Sequence, residues 1–160
     1  MKKLDNAFRV GAIASIWALI TVGILAGAAV PLISAGLSEQ YTEYSKDFWV
    51  ITVLLIIPVI LAETLLAVIL VLMRRIRKDQ MFSPAAHRWV RVLSYNSAAL
   101  SLSFASILVW LNVKNTLPPV VGLALLTAVF LTLAVALVTR TLLGLLRKAT
   151  EASEELEGVV

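Results

Sequence analysis

Apolar runs alternate with short polar breaks along this chain, and the length of the runs sets its architecture. Four stretches are long enough to cross a bilayer as helices: 10–37, 48–73, 91–113 and 118–146. A helix needs about 20 apolar residues to span the hydrocarbon core. The fourth stretch opens with Pro118-Pro119, where the start of a helix tolerates proline. The pattern therefore predicts an all-α integral membrane protein with four transmembrane helices in one domain. A cytoplasmic helical tail over 147–160 completes it.

The first run follows Lys2 and Lys3 and ends near the small residues Ser34-Ala35-Gly36, much as a secretory leader would. Its apolar core, however, is about twice the usual 7–15 residues of a leader, so a retained span is expected.

Composition agrees with a bilayer as the solvent. Of 160 residues, 60% are hydrophobic, where soluble domains hold about 45–50%. The net charge of +4 raises nucleic acid as a partner. The basic residues, however, sit beside the spans rather than on a soluble surface, and no direct nucleic-acid role is expected. With no cysteine, disulfides, thiolate metal sites and cysteine nucleophiles are excluded.

Charge placement predicts orientation. All but Lys46 and Lys114 of the 14 Lys and Arg residues fall on one side if the chain crosses four times. They are Lys2, Lys3 and Arg9, then Arg74, Arg75, Arg77, Lys78, Arg88 and Arg91, then Arg140, Arg147 and Lys148. By the positive-inside rule both termini are cytoplasmic. Tyr41, Tyr44, Phe48, Trp49 and Trp110 gather toward the opposite interface, and Trp89 and Tyr95 toward the basic one, as aromatic belts do.

The basic segment between spans two and three predicts a helix start of its own. Ser83 reads as an N-cap and Pro84 as the first helical residue. The helix runs through AAHRWVRVL into span three and carries Arg88 and Arg91 on one face. Basic residues there attract anionic headgroups by about 1 kcal/mol each.

A basic end to span two, Phe82 before a proline-started helix, and Arg88-x-x-Arg91 leading into the next span resemble the YoaS-type family. These are small four-span bacterial membrane proteins of unknown function. The tail LLRKATEASEELEGVV is similar to that family's ending. The sequence departs from the family pattern by lacking its glycine and the Glu-Asn pair after the proline. The resemblance implies a bacterial inner-membrane protein of unassigned activity, often encoded beside a Cro/C1-type helix-turn-helix regulator.

Several residues carry candidate chemistry. Glu63 lies near the middle of span two, where an ionised group costs roughly 2.5–3.5 kcal/mol and faces protein or water. It reads either as a proton or cation site, or as a neutral carboxyl bonded to a neighbouring helix. Arg140 in span four is its natural partner, about 6 Å away in depth, although the side chain is long enough to snorkel to the interface instead.

Span three carries SYNSAALSLSFAS, with Ser94, Ser97 and Ser101 on one face and Asn96 beside them. Such residues make close helix packing, or else a polar groove. Gly23-x-x-x-Gly27 is a close-approach motif that fits packing within the chain or a homo-oligomer. Pro58 predicts a kink near Glu63. Glu151, Glu154 and Glu155 form an acidic face on the tail, suited to a basic partner or to the Arg74, Arg75, Arg77 and Lys78 cluster.

His87 is the only histidine and lacks companions for a metal site. No triad spacing or phosphate loop is present, so neither an enzyme nor a cofactor is expected. Two functional classes remain. One is a non-catalytic adaptor or sensor whose cytoplasmic face binds a soluble partner such as a transcription regulator. The other is a small transporter or ion-conducting oligomer using Glu63 and Arg140.

Overall fold

The computed structural model describes residues 2–40, 46–76 and 84–157. Side chains at 2–9, 37, 40, 75, 76, 84–86, 146, 147 and 149–157 lie outside the described set. Four helices follow in order: α1 (Lys2–Gln40), α2 (Phe48–Ile76), α3 (Pro84–Val113) and α4 (Pro119–Glu157). Each contains a stretch long and apolar enough to cross a membrane: Val10–Gly36, Phe48–Arg74, His87–Val113 and Pro119–Leu145. The outward faces carry large apolar side chains such as Trp17, Leu32, Trp49, Leu102, Val120 and Phe130. That is how a surface in contact with lipid tails looks.

The helices overrun the apolar stretches because helix formation does not stop where hydrocarbon ends. α1 and α4 have 39 residues each, about 58 Å of helix against a core of about 30 Å. α3 begins at Pro84, as the Ser83-Pro84 signal predicts, and continues through the interface into the span without a break. Ser83 itself lies outside the described residues.

The helices pack as a row. α1 packs on α2, α2 on α3 and α3 on α4, and among the described residues no other pair of helices packs. α3 is therefore the middle of the molecule in a physical sense, with neighbours on two faces. Its α2-facing residues include Asn96, Leu100 and Ile107, and its α4-facing residues Ser94, Ser97 and Ser101. At 100° per residue these two faces are about 100° apart, so the row bends at α3.

On the concave side lies an apolar cleft of about 930 Å³, lined by Leu54, Pro58, Val59, Phe104, Trp110 and Leu125 among others. It occupies the half of the molecule away from the basic segments.

The turn between α3 and α4 is built locally. Asn115 takes a left-handed conformation, with φ of 54°. Its N–H donates to the Asn112 carbonyl at 2.9 Å, and the Thr116 N–H donates to the Leu111 carbonyl at 3.1 Å. These two bonds form a Schellman cap, with asparagine in the place glycine usually takes. Pro118 and Pro119 then start α4, the Gly122 N–H reaching the Pro118 carbonyl at 2.9 Å. Leu117 lies against Gly122, its Cδ2 being 3.2 Å from where a Cβ would stand.

Candidate functional site

Three polar arrangements sit inside the membrane-spanning part, each at a different helix interface. At α1–α2, the Glu63 carboxylate rests on Gly23. A Cβ on that glycine would overlap Glu63 Oε1 and come within 2.8 Å of its Cδ. One turn away, Gly27 brings α1 equally close to α2, with Val59 Cγ1 3.3 Å from its missing Cβ. The glycine motif is thus spent within the chain, as a bed for a carboxyl group and a valine.

The backbone at Gly23 has no side chain to shield it, which gives Glu63 a polar neighbour in an otherwise apolar layer. The two pairs share one antiparallel register, Gly23 with Glu63 and Gly27 with Val59.

At α2–α3, Asn96 Nδ2 donates to the Leu61 carbonyl at 2.8 Å. Its acceptor lies two residues from Glu63 along the chain. At α3–α4, the Ser94 hydroxyl donates to the Ala136 carbonyl and the Ser101 hydroxyl to the Val129 carbonyl, both at 3.0 Å. Donors and acceptors are each one heptad apart, so the serines form a ladder along the seam. Ser97 lies between them, fully buried, and its hydroxyl has no hydrogen-bond partner.

Glu63 and Arg140 are not brought together. Glu63 faces α1, while Arg140 Nη2 reaches the Tyr95 hydroxyl at 3.4 Å and its guanidinium lies 5.3 Å from that ring's centre. Among the described residues α2 and α4 do not pack on each other. The arginine instead takes an aromatic partner on the flank of the α3–α4 seam, in a cation–π contact. Sequence reasoning marked Tyr95 only as an interface residue. The antiparallel register of α3 and α4, already implied by the short 114–118 connection, is the signal that places it within about one turn of Arg140.

The basic end is partly described. Arg74, Arg88, Arg91 and Lys148 are exposed there. Arg77 and Lys78 lie outside the described residues, as do the side chains of Arg75, Glu151, Glu154 and Glu155. The proposed clasp between the basic cluster and the acidic tail falls on those residues.

The opposite end holds one ion pair, Lys114 to Asp47 at 2.5 Å, with the Lys114 ammonium 5.9 Å from the centre of the Trp110 ring. Both side chains are part-exposed, so the pair contributes about 0–1 kcal/mol. Among the described residues no three His, Asp or Glu side chains come together as a metal site.

The cleft beside α3 carries almost no polar atoms apart from Thr116. It has the character of a space for acyl chains rather than for a polar ligand.

Comparison with known proteins places the chain among relatives without assigning it an activity. No curated protein and no solved structure matches it. One family model does match, over residues 32–160, from the last turns of α1 through α2, α3 and α4. With well over half of the chain covered, the protein belongs to the family described as "Protein of unknown function (DUF2975)".

Proposed function

We propose that this is a non-catalytic adaptor or sensor of the bacterial inner membrane, with both termini and the 74–91 segment in the cytoplasm. Its cytoplasmic face, formed by residues 74–91 and 147–160, binds a soluble partner such as a helix-turn-helix transcription regulator. The observation that carries this reading is the asymmetry of charge. Arg74, Arg88, Arg91 and Lys148 are exposed at one end, whereas Lys114 at the other end is paired with Asp47. Such asymmetry orients a protein basic side inward and leaves a charged platform where a soluble protein can reach it. The resemblance to a family encoded beside such regulators supports the choice of partner.

The transport alternative needs Glu63 and Arg140 along one path. Their separation onto different faces of different helices withdraws that support.

Two experiments test the proposal. Because the chain has no cysteine, Lys148→Cys and Lys46→Cys variants report orientation without background. An impermeant maleimide applied to intact cells is expected to label Lys46→Cys alone, and labelling of Lys148→Cys alone refutes the orientation. Photoreactive groups at His87 and Glu154 in native membranes, read by mass spectrometry, test the partner. A reproducible crosslink to a helix-turn-helix protein supports the adaptor reading. Crosslinks only to lipid and to the protein itself sink it.

A further inference from the structure

In the α3–α4 half of the molecule, Arg140 and Arg91 have no carboxylate partner among the described residues. Arg140 lies inside the apolar window Pro119–Leu145 and Arg91 inside His87–Val113. Both are exposed, Arg91 at the basic edge of its window and Arg140 about a turn and a half inside the end of its own. α3 contains no acidic residue, and on α4 the first is Glu151, about 16 Å along the helix from Arg140. Glu63, the acidic residue within the spans, is turned toward α1. Among the described residues neither arginine has a carboxylate partner.

An arginine at the edge of the apolar layer gains from a nearby anion, because the surrounding medium screens poorly. No carboxylate among the described residues supplies it, which leaves an anion of the bilayer placed to do so.

The geometry says what kind of anion fits. The Tyr95 hydroxyl accepts from Arg140 at 3.4 Å, which leaves its own proton to donate. Arg91 is four residues before Tyr95 on α3, about one turn nearer the basic end. In the antiparallel register set by the Ser94–Ala136 and Ser101–Val129 bonds, Arg91 comes level with Thr139 and Arg140 on α4, and Gly144 lies one turn beyond Arg140 toward the basic end. Helical spacing puts Arg91, Tyr95, Arg140 and Gly144 on the same flank of the α3–α4 seam. At Gly144 there is no heavy atom within 4 Å of where a Cβ would stand, so the flank is open one turn beyond the two arginines.

We propose that this groove, formed by Arg91, Tyr95, Arg140 and Gly144, binds the phosphate of an anionic phospholipid. The arginines present planar donor forks suited to phosphate oxygens, the tyrosine hydroxyl adds a third donor, and Gly144 leaves the gap through which the headgroup approaches. The acyl chains continue along the apolar flank past Leu102, Leu133 and Leu137, which are exposed on this surface. Basic pockets between transmembrane helices on the cytoplasmic side commonly hold anionic headgroups. The proposal does not depend on the soluble partner proposed above.

The test is native mass spectrometry on the purified full chain in neutral detergent. It is titrated with phosphatidylglycerol or with phosphatidylcholine of the same acyl chains. The wild type is expected to retain one phosphatidylglycerol at several-fold lower concentration than phosphatidylcholine. Arg140→Gln and Arg91→Gln are each expected to weaken phosphatidylglycerol binding about fivefold, the effect of one basic residue near a headgroup, with phosphatidylcholine unchanged. Gly144→Leu fills the groove without changing charge and is expected to weaken phosphatidylglycerol retention as well. Arg74→Gln, on α2, is expected to have no effect.

Equal retention of the two lipids by the wild type overturns the proposal. So does equal weakening by Arg74→Gln and Arg140→Gln, which would mean diffuse attraction. Displacement of the lipid by excess inorganic phosphate overturns it too, since the site would then hold a free anion. Should either arginine variant fail to fold, Gly144→Leu decides the matter, because its side chain enters open space.

Discussion

α1 and α3 answer the bilayer in opposite ways. α1 is the more apolar of the two, yet only 6% of its window is buried inside the protein, against 33% for the window of α3. In water the ranking would be reversed, since burial follows hydrophobicity. In lipid, apolar side chains gain nothing by leaving the tails for another helix, and association rests on close packing and on hydrogen bonds. α3 has both, through its serines and Asn96, and sits between two neighbours. α1 has a single short patch of glycine, and packs on one.

The largest expected disruption is therefore in the helix that looks least like a membrane span. Ser97→Leu forces a large side chain into a fully buried position on the α3–α4 seam. A loss of about 1–3 kcal/mol or more is expected from overpacking, measured by unfolding in a denaturing detergent. Ser97→Ala, by contrast, is expected to be neutral or slightly stabilising, because the hydroxyl has no partner to lose. A clear loss on Ser97→Ala would show that this hydroxyl has a partner in the membrane.

Next comes the edge helix. Gly23→Val collides with the Glu63 carboxylate and is expected to loosen α1 from α2 by about 1–3 kcal/mol. Adding Glu63→Ala should restore most of the contact, so a double-mutant cycle ought to show strong coupling. Additivity would mean that the carboxylate lies elsewhere.

Smaller effects follow for single hydrogen bonds. Asn96→Ala, Ser94→Ala and Ser101→Ala each remove one interhelical bond, and about 0.6 kcal/mol apiece is expected. Losses several times larger would mark cooperation along the serine ladder. The smallest is Lys114→Ala, which deletes a part-exposed ion pair and is expected to cost about 0–1 kcal/mol, less at high salt.

The same contrast explains what could be read from the sequence. The four spans were legible because crossing hydrocarbon requires a run of fixed length, and nothing else in the sequence produces such runs. The start of α3 at Pro84 was legible because proline at the first helical position is a local matter. The serine face of α3 was legible as a packing surface or a groove, since helical periodicity alone assigns residues to faces.

Partners were not legible. Gly23, Gly27 and Glu63 each stood out, but only the α1–α2 register brings them together. Arg140 was set beside Glu63 on grounds of charge and depth. The row-like packing, which keeps α2 and α4 apart, gave it Tyr95 instead. The Asn115 cap was also missed, because a left-handed asparagine at a helix end leaves no periodic trace.

The row of helices has a consequence for how the chain is made. Among the described residues each helix packs only on the one before it and the one after it, so these contacts do not wait for a distant part of the chain to emerge. As synthesis proceeds, α2 finds α1 already in the membrane, α3 finds α2, and α4 closes on α3. Loop closure at each step involves only a short connection, which keeps its entropic cost low and its rate high. A ring of four helices would leave its last seam open until the end of translation. This arrangement completes each seam as soon as its second helix arrives.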